Sequence, residues 1–202
     1  MTVLIVVAHP NISSFNHGIV SKCRDILIKN GHRTLVHDLY KDGFDPVLRY
    51  SELIGEIIDP VVSSYCEAVK ISDGIIVVHP NWWGQPPAIL KGWIDRVLRS
   101  QVAYKLEKGN EGGKPTPLLK AKTAIIFNTS DTDKEREHIL FGDPLQTVWK
   151  NCILQYCGVI EFERKIFRVV ADSDAALREE WIQQAADLVN KAFPKSRIQA
   201  EG

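Results

Sequence analysis

The chain has 202 residues, with 25 lysines and arginines against 25 aspartates and glutamates, so its formal net charge is zero. That length suits one domain with a substantial core. The even charge provides neither the basic field that nucleic acid requires nor the polybasic cluster that holds a protein to a membrane surface.

Thr2–Ala8 is a β-branched apolar run of the kind found in a strand covered on both faces. It has no basic flank and stops at His9-Pro10, too short for a signal peptide or a membrane span. A cytoplasmic protein without direct membrane insertion is therefore expected. The loop His9–Asn16 leads into a helix whose apolar face is Phe15, Ile19, Val20, Cys23, Ile26 and Leu27, with Gly31 as its stop. Ser13, Ser14 and Asn16 lie where the first-turn amides have no internal partner, a setting that suits a phosphate. Ser13 or Ser14 also reads as a simple N-cap.

Arg33–Asp38 is a short strand, and 41–60 reads as loop with a short helical turn. Val61–Ser72 is a helix with Val62, Tyr65, Cys66 and Val69 inward. The next strand, over 74–79, ends in His79-Pro80-Asn81-Trp82-Trp83-Gly84-Gln85-Pro86, where the prolines break regular structure. After Pro87 the apolar residues Ile89, Leu90, Trp93, Ile94, Val97 and Leu98 recur at helical spacing. Two indoles on one loop at a strand's carboxyl end suit a wall for a flat ring system, or a loop folded onto its own domain.

Residues 101–120 read as a surface excursion, and Thr123–Phe127 as the fourth strand. Asn128–Gly142 reads as a polar loop. Asp143-Pro144 opens a helix with the stripe Leu145, Val148, Trp149, Cys152, Ile153, Tyr156 and Cys157. The fifth strand lies within 159–170. Ser173–Phe193 is the final helix, with Leu177, Trp181, Ile182, Leu188 and Val189 inward, and 195–202 should fray. Cys152 and Cys157 read as reduced core residues, and no cysteine spacing suggests a metal site. His17, His32 and His37 read as surface or strand-end residues.

Five β/α alternations predict a single α/β domain over 1–194. It is a doubly wound five-stranded parallel sheet in the order 2-1-3-4-5, with helices on both faces. In that order strands 1 and 3 are neighbours, so the serine loop and the double-tryptophan loop flank one crevice. No GxGxxG follows the first strand, which disfavours a dinucleotide-binding dehydrogenase.

Three segments carry a family likeness: His9-Pro10 with Ser14-Phe15-Asn16, Asp38-Leu39-Tyr40 with Phe44-Asp45-Pro46, and Pro80–Trp83 with Pro87-Ala88-Ile89-Leu90-Lys91-Gly92-Trp93. Together they resemble the flavodoxin-like NAD(P)H:quinone oxidoreductases, which include DT-diaphorase, modulators of drug activity and ancillary oxidoreductases of potassium-efflux systems. The resemblance implies bound FAD, or FMN as the alternative, NAD(P)H as co-substrate, a quinone or similar small acceptor, and a homodimer. It assigns Ser14, Phe15 and Asn16 to the flavin phosphate, with His9 beside it. Pro80, Asn81, Trp82 and Trp83 would line the ring, and Asn128, Thr129 and Ser130 would touch its other end. Where such relatives carry glycines, a tyrosine and a histidine, this chain has Asn128–Asp131 and no glycine before Gly142. His138 is the nearby side chain able to donate a proton near neutral pH. Two further roles are an electron carrier, which the zero net charge disfavours, and an ancillary subunit of a membrane transport system.

Overall fold

In the computed structural model, which describes residues 1–55, 59–107, 109 and 112–195, the apolar runs become the strands of one parallel sheet. These are β1 (Thr2–Val7), β2 (Arg33–Asp38), β3 (Gly74–Pro80), β6 (Thr123–Ser130) and β7 (Glu161–Arg168). A separate antiparallel pair, β4 (Tyr104–Lys105) and β5 (Thr116–Pro117), intervenes in the chain. The sheet order is β2-β1-β3-β6-β7, which is the expected 2-1-3-4-5 when the sheet strands alone are counted.

Alternate residues of a strand point to opposite faces, so a strand apolar at every position is buried from both sides. Val3, Ile5 and Val7 pack with α1 (Phe15–Lys29) and α7 (Ala175–Ala192). Leu4 and Val6 pack on the other face with α3 (Pro60–Ile71) and α4 (Ala88–Val97). Caps fix where the helices start. Asp59 accepts from the amides of Val61 and Val62 ahead of Pro60, and Asp174 accepts from Leu177 N. The short α2 (Tyr50–Leu53) is anchored from below by the buried Arg96, which reaches Glu52, Asp59 and the carbonyl of Asp45. Gly92 is where α4 meets the 38–46 segment: a Cβ there would stand 2.3 Å from the Pro46 carbonyl oxygen.

Several expectations need correction. Residues 128–142 are not a plain polar loop. Strand β6 continues through Ser130, followed by the short α5 (Lys134–Arg136) and a π-helical turn over Glu137–Phe141. The excursion after residue 100 carries the β4–β5 pair, and Val102, Ala103 and Leu119 at its roots belong to the core. Beyond α6 (Pro144–Thr147) the helix turns π over Val148–Leu154. The wider turn moves the inward residue from Cys152 to Leu154, five positions after Trp149, so Cys152 is exposed. Tyr156 and Leu177 are also partly exposed. His32 and His37 are buried rather than superficial, although His37 does stand at a strand end. The expected fraying over 196–202 lies outside the described residues.

Candidate active site

The carboxyl ends of β1, β3 and β6 lie side by side, and their loops are tied together. Ala8 N donates to Val78 O at 3.1 Å, and Asn81 N donates to Thr129 O at 2.7 Å. Asn16 Nδ2 donates to Thr129 Oγ1 at 3.0 Å. Above these bonds a cavity of about 440 Å³ opens between His9, Ser13, Ser14, Asn16, Pro80 and Trp82, with Thr129, Ser130 and Arg178 on its far wall. A second cavity of about 800 Å³ adjoins it, walled by Trp83, Gly84, Asp133, Arg136, Phe141 and Pro144. Asn81, Asp131 and Thr132 border both.

The first cavity has the chemistry of an anion site at one end. Ser14 caps α1, its side chain accepting from His17 N, and the helix points the amides of its first turn at the opening. Arg178 stands opposite, early in α7. Its Nε donates to Ser173 Oγ at 2.8 Å and its Nη2 to Val170 O at 3.1 Å. A cation near a helix N-terminus opposes the helix dipole, which makes an anionic neighbour its natural partner. Arg178 was not singled out from sequence, and its place near the start of the last helix was the available signal.

Of the expected ligands, His9, Ser14, Phe15, Asn16, Pro80, Asn81, Trp82, Thr129 and Ser130 all border the smaller cavity. Their parts differ. The Phe15 ring faces the core, against Phe167 and Trp181 at 5.7 Å each, leaving its backbone to the cleft. Asn16 is buried and braces Thr129. Burial holds the His9 imidazole below its usual range, the carbonyl of Asn11 opposing that shift.

The two indoles part company. Trp82 and Gln85 exchange backbone hydrogen bonds of 3.1 and 3.0 Å around a tight turn. Its two central residues, Trp83 and Gly84, have φ of 57° and 71°. Trp82 faces the smaller cavity and Trp83, fully exposed, the larger. They do not form one wall. Gly84 is required twice over, since a Cβ would also stand 2.9 Å from Pro144 Cγ.

Asn128 borders neither cavity and is a correction to the expected set. Its amide is spent beneath the cleft, donating to His79 Nε2 at 2.9 Å and accepting from Arg164 Nε at 2.6 Å. His79 also accepts from Trp149 Nε1 at 2.9 Å and gives its Nδ1 proton to Pro80 O. Burial lowers the His79 pKa to about 4, so the ring is neutral. His138 is exposed and borders neither cavity. In its place the larger cavity presents Arg136, with its guanidinium 5.8 Å from the Phe141 ring centre.

Asn81 links the cavities to a buried ion pair. Its Nδ2 donates to Glu137 Oε1 at 2.9 Å, and Arg168 Nη1 stands 3.3 Å from Glu137 Oε2. Asn81 Oδ1 is left buried without a hydrogen-bond partner among the described residues. No cluster of metal-binding side chains occurs among the described residues, and no helix there is long and apolar enough to cross a membrane.

Comparison with known proteins agrees with this arrangement. The profile of a family described by its flavodoxin-like fold matches residues 1–189. A Haemophilus influenzae protein named as an uncharacterized NAD(P)H oxidoreductase is 36% identical over 194 residues, covering 92% of this chain and 93% of that one. NAD(P)H dehydrogenase [quinone] 1 of Rattus norvegicus is 29% identical over 178 residues, covering 77% of this chain and 64% of its own length. Among solved structures, the NAD(P)H:quinone oxidoreductase of Methanothermobacter marburgensis is 25% identical, with a TM-score of 0.81 and coverage of 94% and 97%. The chain is an enzyme of the flavodoxin-like-fold family, among its NAD(P)H oxidoreductases.

Proposed function

We propose that the cleft holds a flavin and that the enzyme passes two electrons from NAD(P)H to a quinone or a similar small acceptor, in ping-pong order. One observation carries this reading. A cavity with an open helix N-terminus, the Ser14 hydroxyl and Arg178 at one end runs on, past Asn81, into a larger cavity walled by Trp83, Phe141 and Arg136. The donors fit a flavin phosphate, and the orphaned Asn81 Oδ1 needs an N–H, which the ring system provides. Bound there, the flavin would supply hydride acceptance from reduced nicotinamide and two-electron delivery to the acceptor.

The chain's own part is positioning. Ser14 and Arg178 hold the phosphate, His9 and Trp82 bound the ring's cavity, and Trp83, Arg136 and Phe141 shape the adjoining space for nicotinamide and acceptor in turn. A second copy of the chain is proposed to close that space. Trp83 and Phe141, which wall it, are exposed, as are the apolar Ile139 and Leu140 that precede Phe141 in the chain.

The test begins with the absorbance spectrum of the purified protein and chromatography of the released cofactor, which separates FAD, the form the family resemblance implies, from FMN. NADPH oxidation with a small quinone should then give parallel double-reciprocal lines. A protein that binds neither flavin would overturn the proposal.

A further inference from the structure

Ser14 does more than cap a helix. Its Oγ lies 3.0 Å from His17 Nδ1, and His17 Nε2 lies 3.1 Å from Asp38 Oδ2, so hydroxyl, imidazole and carboxylate stand in line. The capping bond from His17 N to the same Oγ is the longer of its two contacts, at 3.4 Å. All three side chains are largely withdrawn from water, and Ser14 borders the cleft.

The proton positions follow from the donors available. A carboxylate oxygen only accepts, so Nε2 carries a proton. In the neutral ring Nδ1 is then a lone pair, and the Ser14 hydroxyl donates to it. So occupied, the hydroxyl has no proton to offer the cleft. When Nδ1 gains a proton the bond reverses: Nδ1–H donates to Oγ, and the hydroxyl proton turns toward the cleft.

We propose that His17 is a positioning residue for phosphate binding, whose protonation turns the Ser14 hydroxyl into a donor toward the flavin phosphate. The proton comes from solvent to Nδ1, at most one for each flavin bound, and no heavy-atom bond changes. The inference rests on the flavin reading above and adds a chemical requirement to it. The charged and titratable groups around His17 come from each neighbouring element. His9, on the loop before α1, has its ring centre 6.5 Å away. Asp38 at the end of β2, and Lys41 and Asp42 in the turn after it, share with Arg24 and Asp25 of α1 the cavity of about 550 Å³ that His17 also borders. Asp38 is the nearest, and with the phosphate beyond Ser14 it would set the imidazolium between two anions.

The experiment measures FAD binding by calorimetry and flavin fluorescence from pH 5.5 to 8.5, in buffers of different ionisation enthalpy. The FAD pyrophosphate keeps a fixed charge over this range. Wild-type affinity should fall about tenfold between pH 6 and 8, which by linkage is an average uptake of about half a proton per flavin over that range. Ser14→Thr should keep that uptake, whereas Ser14→Ala and His17→Gln should bind more weakly with a flat profile. Flavin binding by the wild type without proton uptake would overturn the inference, whatever the variants do. Undiminished uptake in Ser14→Ala would also overturn it, because His17 would then act as a bare charge and not through the hydroxyl. Absence of binding at every pH, for FMN as well as for FAD, would instead refute the flavin reading itself, and is distinguishable from a flat profile in a chain that binds.

Discussion

Trp83→Asn should raise the stability of the isolated chain while damaging its chemistry. Trp83 has φ of 57° and is fully exposed, so its side chain buries nothing that the substitution would forfeit. Holding a bulky residue in the left-handed region costs roughly 1–2 kcal/mol. Asparagine tolerates that conformation, and the reciprocal Trp82–Gln85 backbone bonds that define the turn do not involve the side chain at 83. A net gain of about 1 kcal/mol corresponds to a rise in Tm of roughly 2–4 °C for a chain of this size. Calorimetry of dilute flavin-free protein reads this, with a concentration series to expose any loss of packing between copies. Turnover with NADPH and a quinone should fall in the same variant. A Tm that drops at every concentration would show that Trp83 is held by packing and that the turn is not strained.

Acidification should destabilise the fold through two buried imidazoles. Burial lowers the pKa values of His37 and His79 from 6.5 to about 4 each. The unfolded chain therefore binds the extra protons first, and stability present above pH 6.5 is lost as the pH falls toward 4. At pH 5 the loss relative to pH 7 is about 2 kcal/mol for each ring, and urea titrations at the two values should differ by about twice that. Equal midpoints would refute the neutral assignment. Arg178→Gln should weaken flavin binding by roughly 1.5–3 kcal/mol, since a charge-assisted bond to phosphate is lost. Fluorescence titration checks this, and an unchanged Kd would remove Arg178 from the site. Gly92→Ala should cost roughly 1–3 kcal/mol, because a Cβ meets Pro46 backbone atoms at 2.3 and 2.4 Å. An unaltered thermal melt would mean that the 38–46 segment yields easily.

The sheet order and the crevice were readable because each central strand is apolar at consecutive positions, and such a strand has only one environment that covers it. The serine loop and the tryptophan loop then had to meet, whatever their individual roles. Less legible were features that depend on a single extra residue in a turn. The π-helical segment at 148–154 displaces Cys152 outward and brings in Leu154, and no hydrophobic period of 3.6 residues reports that shift. Asn128 looked like a ligand because it begins a loop in sequence, yet the strand continues past it and carries its side chain under the floor. Arg178 and the Glu137–Arg168 pair escaped notice because surface charges in a sequence look alike until the fold buries or aims them.

The hydrogen-bonded series Trp149, His79, Asn128, Arg164 and Asp143 lies below the cleft and borders neither cavity, apart from the backbone bond to Pro80. Its members come from β3, β6, β7 and the segment around α6, so it binds together the parts from which the loops depart. Such a division of labour separates two kinds of inheritance. On the proposed function, substitutions at Trp83, Arg136 or Phe141 should alter which acceptor fits without disturbing that foundation, whereas a change at His79 or Asn128 would unsettle the loops that rest on it. New acceptor preferences in descendants of this chain should therefore arise first at the rim of the larger cavity.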